Sequence, residues 1–167
     1  LTNFHKDGQW MLFIIDGDVV ETKNLERQMF GQAAVTMNKA EAAAESLQDE
    51  PHVKAYAEYL SEENIDRFIK SGDVVFICVD NFTVRARIEE HARKLEAVTI
   101  INGGNEKTDG SVQLWVRAAG DDVTPRIGYG HPEIKVGVGP DRAAMTCVQA
   151  AALPGGEQLL VVNMMAA

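Results

Sequence analysis

Short apolar runs alternate along the chain with longer stretches whose apolar positions recur every three or four residues. WMLFIID (10–16) is apolar up to a terminal acid, the pattern of a strand buried on both faces. Ala33, Met37, Ala40, Ala44 and Leu47 have helical spacing and predict a helix over 33–48. HVKAYA (52–57) predicts a second strand, and Ser61 an N-cap for a short helix with Ile65, Phe68 and Ile69 on one face. DVVFICVD (73–80) repeats the buried strand ending in an acid. Asp80 or Asn81 then caps a helix reaching to about residue 96. AVTIING (97–103) and SVQLWVRA (111–118) predict the fourth and fifth strands.

Strands alternating with helices predict an α/β fold, a Rossmann-like, mainly parallel sheet with helices on both faces. Ligands bind such sheets at the carboxyl ends of the strands. The polar residues expected there are Asp16, Asp18, Asp80, Asn81, Gly103 and Gly104. Between residues 119 and 146 the periodic pattern fails. GDDVTPRIGYGHPEIKVGVGPDR is rich in Gly, Pro and charge and predicts a long crossover loop. PGGEQLLVVNMMAA then predicts a C-terminal helix over about 154–167, with Pro154 in its first turn. The expectation is one domain over 1–167 with its core over about 10–118. Both ends read as cut, one shortly before a strand and the other inside an apolar helix.

Composition narrows the function classes. A chain of 167 residues suits one domain with a real core. A formal net charge of −9 argues against general nucleic-acid binding, which needs clustered Lys and Arg. No apolar stretch is long enough for a membrane helix, and no basic segment precedes an apolar run at the start. Two cysteines, Cys78 and Cys147, build neither a disulfide framework nor a four-thiolate zinc site. No structural zinc is expected, and a reducing, cytoplasmic setting fits.

Three segments carry candidate chemistry: DGDVVETKNLERQMF (16–30) with the later Lys39, CVDNFTVRARIE (78–89) and INGGNEKTDGSVQLWV (101–116). Asp16 ends a strand where dinucleotide folds place the acid that binds ribose hydroxyls. Asn24, Arg27 and Gln28 follow it. Arg27 has the donor fork that suits phosphate, and Lys39 adds a point charge. Asp80, at a neighbouring strand end, suits Mg²⁺, a hard cation that takes a carboxylate plus phosphate oxygens. Together these are what ATP needs. Singly, each has a plainer reading. Asp16 ends a strand, Arg27 and Lys39 are solvated charges, and Asp80 is an N-cap.

The ordered set D-x-D, N-x-x-R-Q, a Lys eleven residues after that Gln, and a strand ending in D-N resembles the adenylation signature of the ThiF/MoeB and ubiquitin-activating family. The similarity covers roughly residues 10 to 117. It implies that Asp16 or Asp18 binds the ribose and that Asn24, Arg27 and Lys39 bind the phosphates. Asp80 would hold Mg²⁺, while Gln28 and Asn81 belong to the same motif and Arg85 follows it. INGGN with DGSVQLWV resembles the family's strand, glycine turn and next strand, beside an incoming C-terminal tail. HKDGQW before the first strand resembles the segment of ThiF-family proteins of bacterial mobile elements. The implied reaction is ATP-dependent adenylation of the C-terminal glycine of a small ubiquitin-like or sulfur-carrier protein ending in Gly-Gly. A homodimer or heterodimer is also implied.

Two features depart from that pattern. The family's G-x-G-x-x-G phosphate loop, with its strand, precedes the point where this chain begins, and the arginine donated by a partner subunit is likewise not found in it. The paired CxxC motifs of many members are also missing. Cys147, in TCVQAAALPGG, is either a thioester nucleophile for the modifier or a small hydrophobe; Cys78 reads as core. His131 has no assigned role, and His5, His52 and His91 share no metal-ligand spacing. Three other readings compete: a catalytically inactive ThiF-like scaffold in a dimer, an NAD-dependent Rossmann oxidoreductase, and adenylation of a carboxylate on a modified tRNA base. The R-Q turn with Lys39 argues against the oxidoreductase, and the acidic charge against the tRNA substrate.

Overall fold

Among the residues described, seven strands form one sheet. The computed structural model describes residues 2–4, 10–26, 28–47, 52–105, 110–131 and 134. The strands are β1 (Thr2–Phe4), β2 (Trp10–Ile15), β3 (Val53–Tyr56), β4 (Val74–Ile77), β5 (Val98–Asn105), β6 (Gly110–Ala118) and β7 (Asp121–Asp122). Their order is β3-β2-β1-β4-β5-β6-β7. β2 pairs parallel with β3, and β4 with β5. β1 is antiparallel to both β2 and β4, so those two run the same way. β6 opposes β5, and β7 opposes β6. The expected α/β, Rossmann-like class is present, with only β1 and β6 running against the common direction.

The helices are α1 (Lys39–Glu45), α2 (Ile65–Phe68), α3 (Phe82–Ala92) and α4 (Ile127–Gly130). The step from β2 through α1 to β3 crosses the sheet one way; the step from β4 through α3 to β5 crosses it the other way. Right-handed crossovers therefore put α1 and α3 on opposite faces. On the α3 face the core is continuous: Ile65, Phe68 and Ile69 meet Val75, Ile77, Ile88, Ala92, Ile100, Trp115 and Ile127. Burying a side chain the size of Phe68 contributes roughly 1.5–3 kcal/mol. Among the described residues no helix is long and apolar enough to cross a membrane.

The structure corrects several expected boundaries. The helix expected over 33–48 starts only at Lys39; Gln32–Ala34 form a separate 3₁₀ turn, and Thr36 takes a positive φ of 78°. Such a φ cannot lie inside a helix. The short helix runs only from Ile65 to Phe68; Asn64 stands at its N-cap position without a side-chain cap bond, while Ser61 accepts from the Glu63 N–H at its Oγ and from the Ile65 N–H at its carbonyl. The helix after Asn81 ends at Ala92 rather than 96. Gly103 and Gly104 lie within β5, paired with Val112 and Ser111, rather than beyond its end.

Strand burial differs as well. β2 is half-buried throughout rather than buried. β4 is buried on one face only: Val75 and Ile77 are covered, while Phe76 faces outward with Leu114 and Val112. The expected loop begins with β7 and α4. Its remainder beyond residue 134, Cys147 and the C-terminal helix expected over 154–167 lie outside the described residues.

Candidate functional site

The candidate residues lie at the sheet's carboxyl edge, and the strand pairing sets which ends stand near one another. β1 stands between β2 and β4 but reaches only Leu12 on one side and Val74 on the other. The carboxyl ends of β2 and β4, the edge at which α/β sheets bind ligands, lie on either side of β1 in the strand order. Asp16 follows the last residue of β2, and Asp80 lies three residues beyond β4. The two carboxylates are near enough for the Asp80 charge to act on Asp16.

The turn after β2 is tied to the start of α1. Asp16 Oδ1 accepts from the Asp18 backbone N–H at 2.8 Å. Asn38 Nδ2 donates to the carbonyls of Asp16 (2.8 Å) and Asp18 (2.9 Å). The Oδ1 of Asn38 meanwhile caps α1 by accepting from the N–H groups of Ala40 and Glu41. The Lys39 N–H donates to the Asp18 carbonyl at 2.9 Å. Its ammonium donates to Asp18 Oδ2 at 2.8 Å. Asp18 Oδ1 accepts from the Tyr59 hydroxyl at 2.7 Å. The structure thus brings Asp16, Asp18 and Lys39 together, with Tyr59 added.

Electrostatics separate the two acids. Burial pushes the Asp16 carboxyl above its ordinary value; Asp18 and Asp80 add to the rise, and Lys39 opposes it. Burial also pushes Asp18 up, but the hydrogen bonds from Lys39 and Tyr59 outweigh it and leave Asp18 below its ordinary value. The Asp18 bond raises the Tyr59 phenol in turn.

Asn24 is buried in a 3₁₀ turn over Thr22–Asn24, and its Oδ1 accepts from the Glu21 N–H at 2.8 Å. The contact seen for it therefore shapes the turn. Gln28 donates its N–H to the Asn24 carbonyl at 2.8 Å, while its side-chain Oε1 is buried without a hydrogen-bond partner. That acceptor is satisfied only by an added donor. Arg27 lies outside the described residues.

At the β4 end, Asn81 caps α3: its Oδ1 accepts from the N–H groups of Thr83 (2.8 Å) and Val84 (3.2 Å). Arg85, one turn on, is buried. Its guanidinium donates to the carbonyls of Val79 and Gly103 and to Asn102 Oδ1. Burial lowers its pKa, with Asp80 opposing. Asn102 donates onward to Gln113 Oε1 at 2.8 Å. Arg85 thus binds the ends of β4 and β5 into one unit. Cys78, expected as core inside a buried strand, instead lies one residue beyond β4 and is half-buried; burial pushes its thiol up.

The donor set fits a divalent cation shared with phosphates. Asp80 is an exposed carboxylate near a second acid, Asp16, whose carboxyl is raised mainly by burial and to a lesser extent by the charges of Asp18 and Asp80. Among the described residues no cluster of three or more His, Cys, Asp or Glu side chains could hold a metal by protein ligands alone. A cation with few protein ligands and several from water and phosphate is the usual case for Mg²⁺.

Sequence reasoning missed Tyr59, Asn38 and the clamp made by Arg85. Gly17, between two acids, was a usable signal for Tyr59, because glycine there permits a close neighbour. Asn38 directly before Lys39 was a usable signal for an N-cap.

Comparison with known sequences adds the context. The ThiF family profile matches residues 1–150. The adenylyltransferase and sulfurtransferase UBA4 of Candida glabrata is 33% identical over 105 residues, 60% of this chain and 24% of the relative. The molybdopterin-synthase adenylyltransferase of Haemophilus influenzae is 29% identical over 108 residues, 62% of this chain and 44% of the relative. The adenylyltransferase and sulfurtransferase MOCS3 of Drosophila ananassae is 30% identical over 108 residues, 62% of this chain and 24% of the relative. The matched region spans less than half the length of each of these relatives.

Proposed function

The chain belongs to the ThiF family, and from that premise we propose that it adenylates the C-terminal glycine of a small ubiquitin-like or sulfur-carrier protein, using ATP. The observation that carries this reading is the Asp16–Asp18–Lys39 cluster facing Asp80 across the carboxyl edge of the sheet. The names of the relatives, adenylyltransferases in each case, support the same reaction class.

In the proposed step a carboxylate oxygen of the terminal glycine attacks the α-phosphorus of ATP. The bond from that phosphorus to the bridging oxygen breaks, pyrophosphate leaves with the electron pair, and an acyl adenylate remains. The chain needs to position and to stabilise charge rather than to react covalently. Asp16 or Asp18 would hold the ribose hydroxyls. Lys39, and Arg27 with it, would neutralise phosphate oxygens. Gln28 Oε1, buried without a partner, would accept from a nucleotide donor. Asn24 would join Lys39 and Arg27 at the phosphates, and Asn81, at the start of α3, is assigned to the same nucleotide site. Mg²⁺, held by Asp80 and the phosphates, would add positive charge at the reacting phosphate. Transfer of the modifier to Cys147 as a thioester belongs to the proposal, as does dimerisation of the family type.

A second reading is a ThiF-like dimer partner without catalysis. The central sheet position between β2 and β4 is held by β1, three residues running against its neighbours. ATP–pyrophosphate exchange on the full-length protein, with candidate small proteins ending in Gly-Gly, decides between them. Exchange that requires the small protein and falls at least about 100-fold in Asp80→Ala supports adenylation. Exchange retained in Cys147→Ala with transfer lost assigns the thiol. Absence of both exchange and ATP binding in calorimetry would favour the scaffold.

A further inference from the structure

Tyr59 stands two residues beyond Ala57 in the loop after β3, yet its side chain reaches across to the turn after β2. Its ring lies flat against Gly17. A methyl group at Gly17 would sit 2.5 Å from Tyr59 Cδ2 and 2.6 Å from Cε2, closer than any real contact. Its backbone is anchored separately, since Asn64 Nδ2 donates to the Tyr59 carbonyl at 2.9 Å. With 67% of the residue exposed, Tyr59 adds little to the core. An exposed aromatic ring that nevertheless has a fitted seat and a charge-assisted hydrogen bond is arranged for the site, not for folding.

Asp18 is held from two sides. Tyr59 occupies Oδ1 and Lys39 occupies Oδ2. The carboxylate cannot rotate without breaking one of these bonds, so the phenol fixes the direction in which Asp18 holds the ammonium. We infer that Tyr59 is a positioning residue, a latch that orients Asp18 and through it Lys39 for a nucleotide, and that residue 17 is glycine to seat the ring. The inference rests on the nucleotide-site reading above. Tyr59 acts through Asp18; it is not assigned a contact with substrate.

Two substitutions remove the latch by different routes. Tyr59→Phe keeps the ring and deletes the donor. Gly17→Ala keeps the donor and forces the exposed ring off its seat. Each is expected to raise the KM for ATP in pyrophosphate exchange roughly threefold to tenfold, the size of one hydrogen bond, with kcat and thermal stability little changed. The double variant should be no worse than the worse single one, since both break the same bond. Additive effects, or a wild-type KM in Tyr59→Phe while Lys39→Ala loses exchange, would overturn the latch and leave the nucleotide site standing. If Lys39→Ala also leaves exchange unchanged, the site reading fails and the latch with it.

Discussion

Two cations stand at the same edge of the sheet and do different work. Arg85 is buried, and it donates to two backbone carbonyls and the Asn102 side chain. Lys39 is partly covered and donates to Asp18, a carboxylate whose side chain is about half exposed. Backbone carbonyls cannot turn away, so Arg85 is committed to joining β4 and β5. A side-chain carboxylate can exchange one donor for another, so Lys39 remains available to a phosphate. Burial and partner type, rather than charge, separate a structural cation from a binding one.

The largest expected effect breaks that comparison in two. Arg85→Ala leaves the buried Asn102 Oδ1 and two part-buried carbonyls without their donor and is expected to cost about 1–3 kcal/mol in chemical denaturation. Lys39→Ala removes one partly covered charge-assisted hydrogen bond and is expected to cost about 1 kcal/mol of stability, while lowering exchange activity on the order of 100-fold. Equal destabilisation by the two variants would show that Lys39 is structural as well.

A smaller effect is expected at Asn81, which caps α3 and also sits in the D-N motif. Asn81→Ala should cost about 1 kcal/mol of stability, and Asn81→Ser should restore most of it. If Asn81→Ser is stable but inactive in exchange, the side chain meets the nucleotide directly. If activity returns with stability, capping is its whole role.

The smallest effect concerns the order of titration. Asp18 lies below its ordinary value and Asp16 above, so carboxyl carbon shifts in NMR should show Asp18 ionising first as pH rises. The two act oppositely on stability. The depressed Asp18 stabilises the fold above its unfolded pKa, and that contribution is lost as pH falls through the folded value. The raised Asp16 favours the fold at low pH, and that contribution is lost as pH rises through its folded value. Lys39→Met should move both upward, because the ammonium lowers each. A reversed order would mean that Lys39 does not sit on Asp18 in solution.

Much of the site was readable along the chain because its members sit at strand ends. Asp16 after WMLFII and Asp80 after VVFICV stand out as acids closing apolar runs. Lys39 was readable from its spacing of eleven residues after Gln28. The helix carrying it was misjudged, since Ala33 and Met37 fit helical spacing while Thr36 takes a left-handed turn. Periodicity records which positions are apolar, and a single positive φ leaves no mark on it. Both-face burial of β4 was misjudged similarly, because apolar Phe76 lies on the side away from α3.

The sequence by itself determined the α/β class, the acids at two strand ends and the cation after the first of them. These depend on local alternation and on neighbours a few residues apart. Tertiary structure alone decided that β1 enters the centre of the sheet against its neighbours, that Arg85 is a clamp, and that Tyr59 reaches 41 residues back to Asp18. Those outcomes depend on which strands lie side by side. That arrangement is set by burial of the whole sheet, and no local window of the chain contains it.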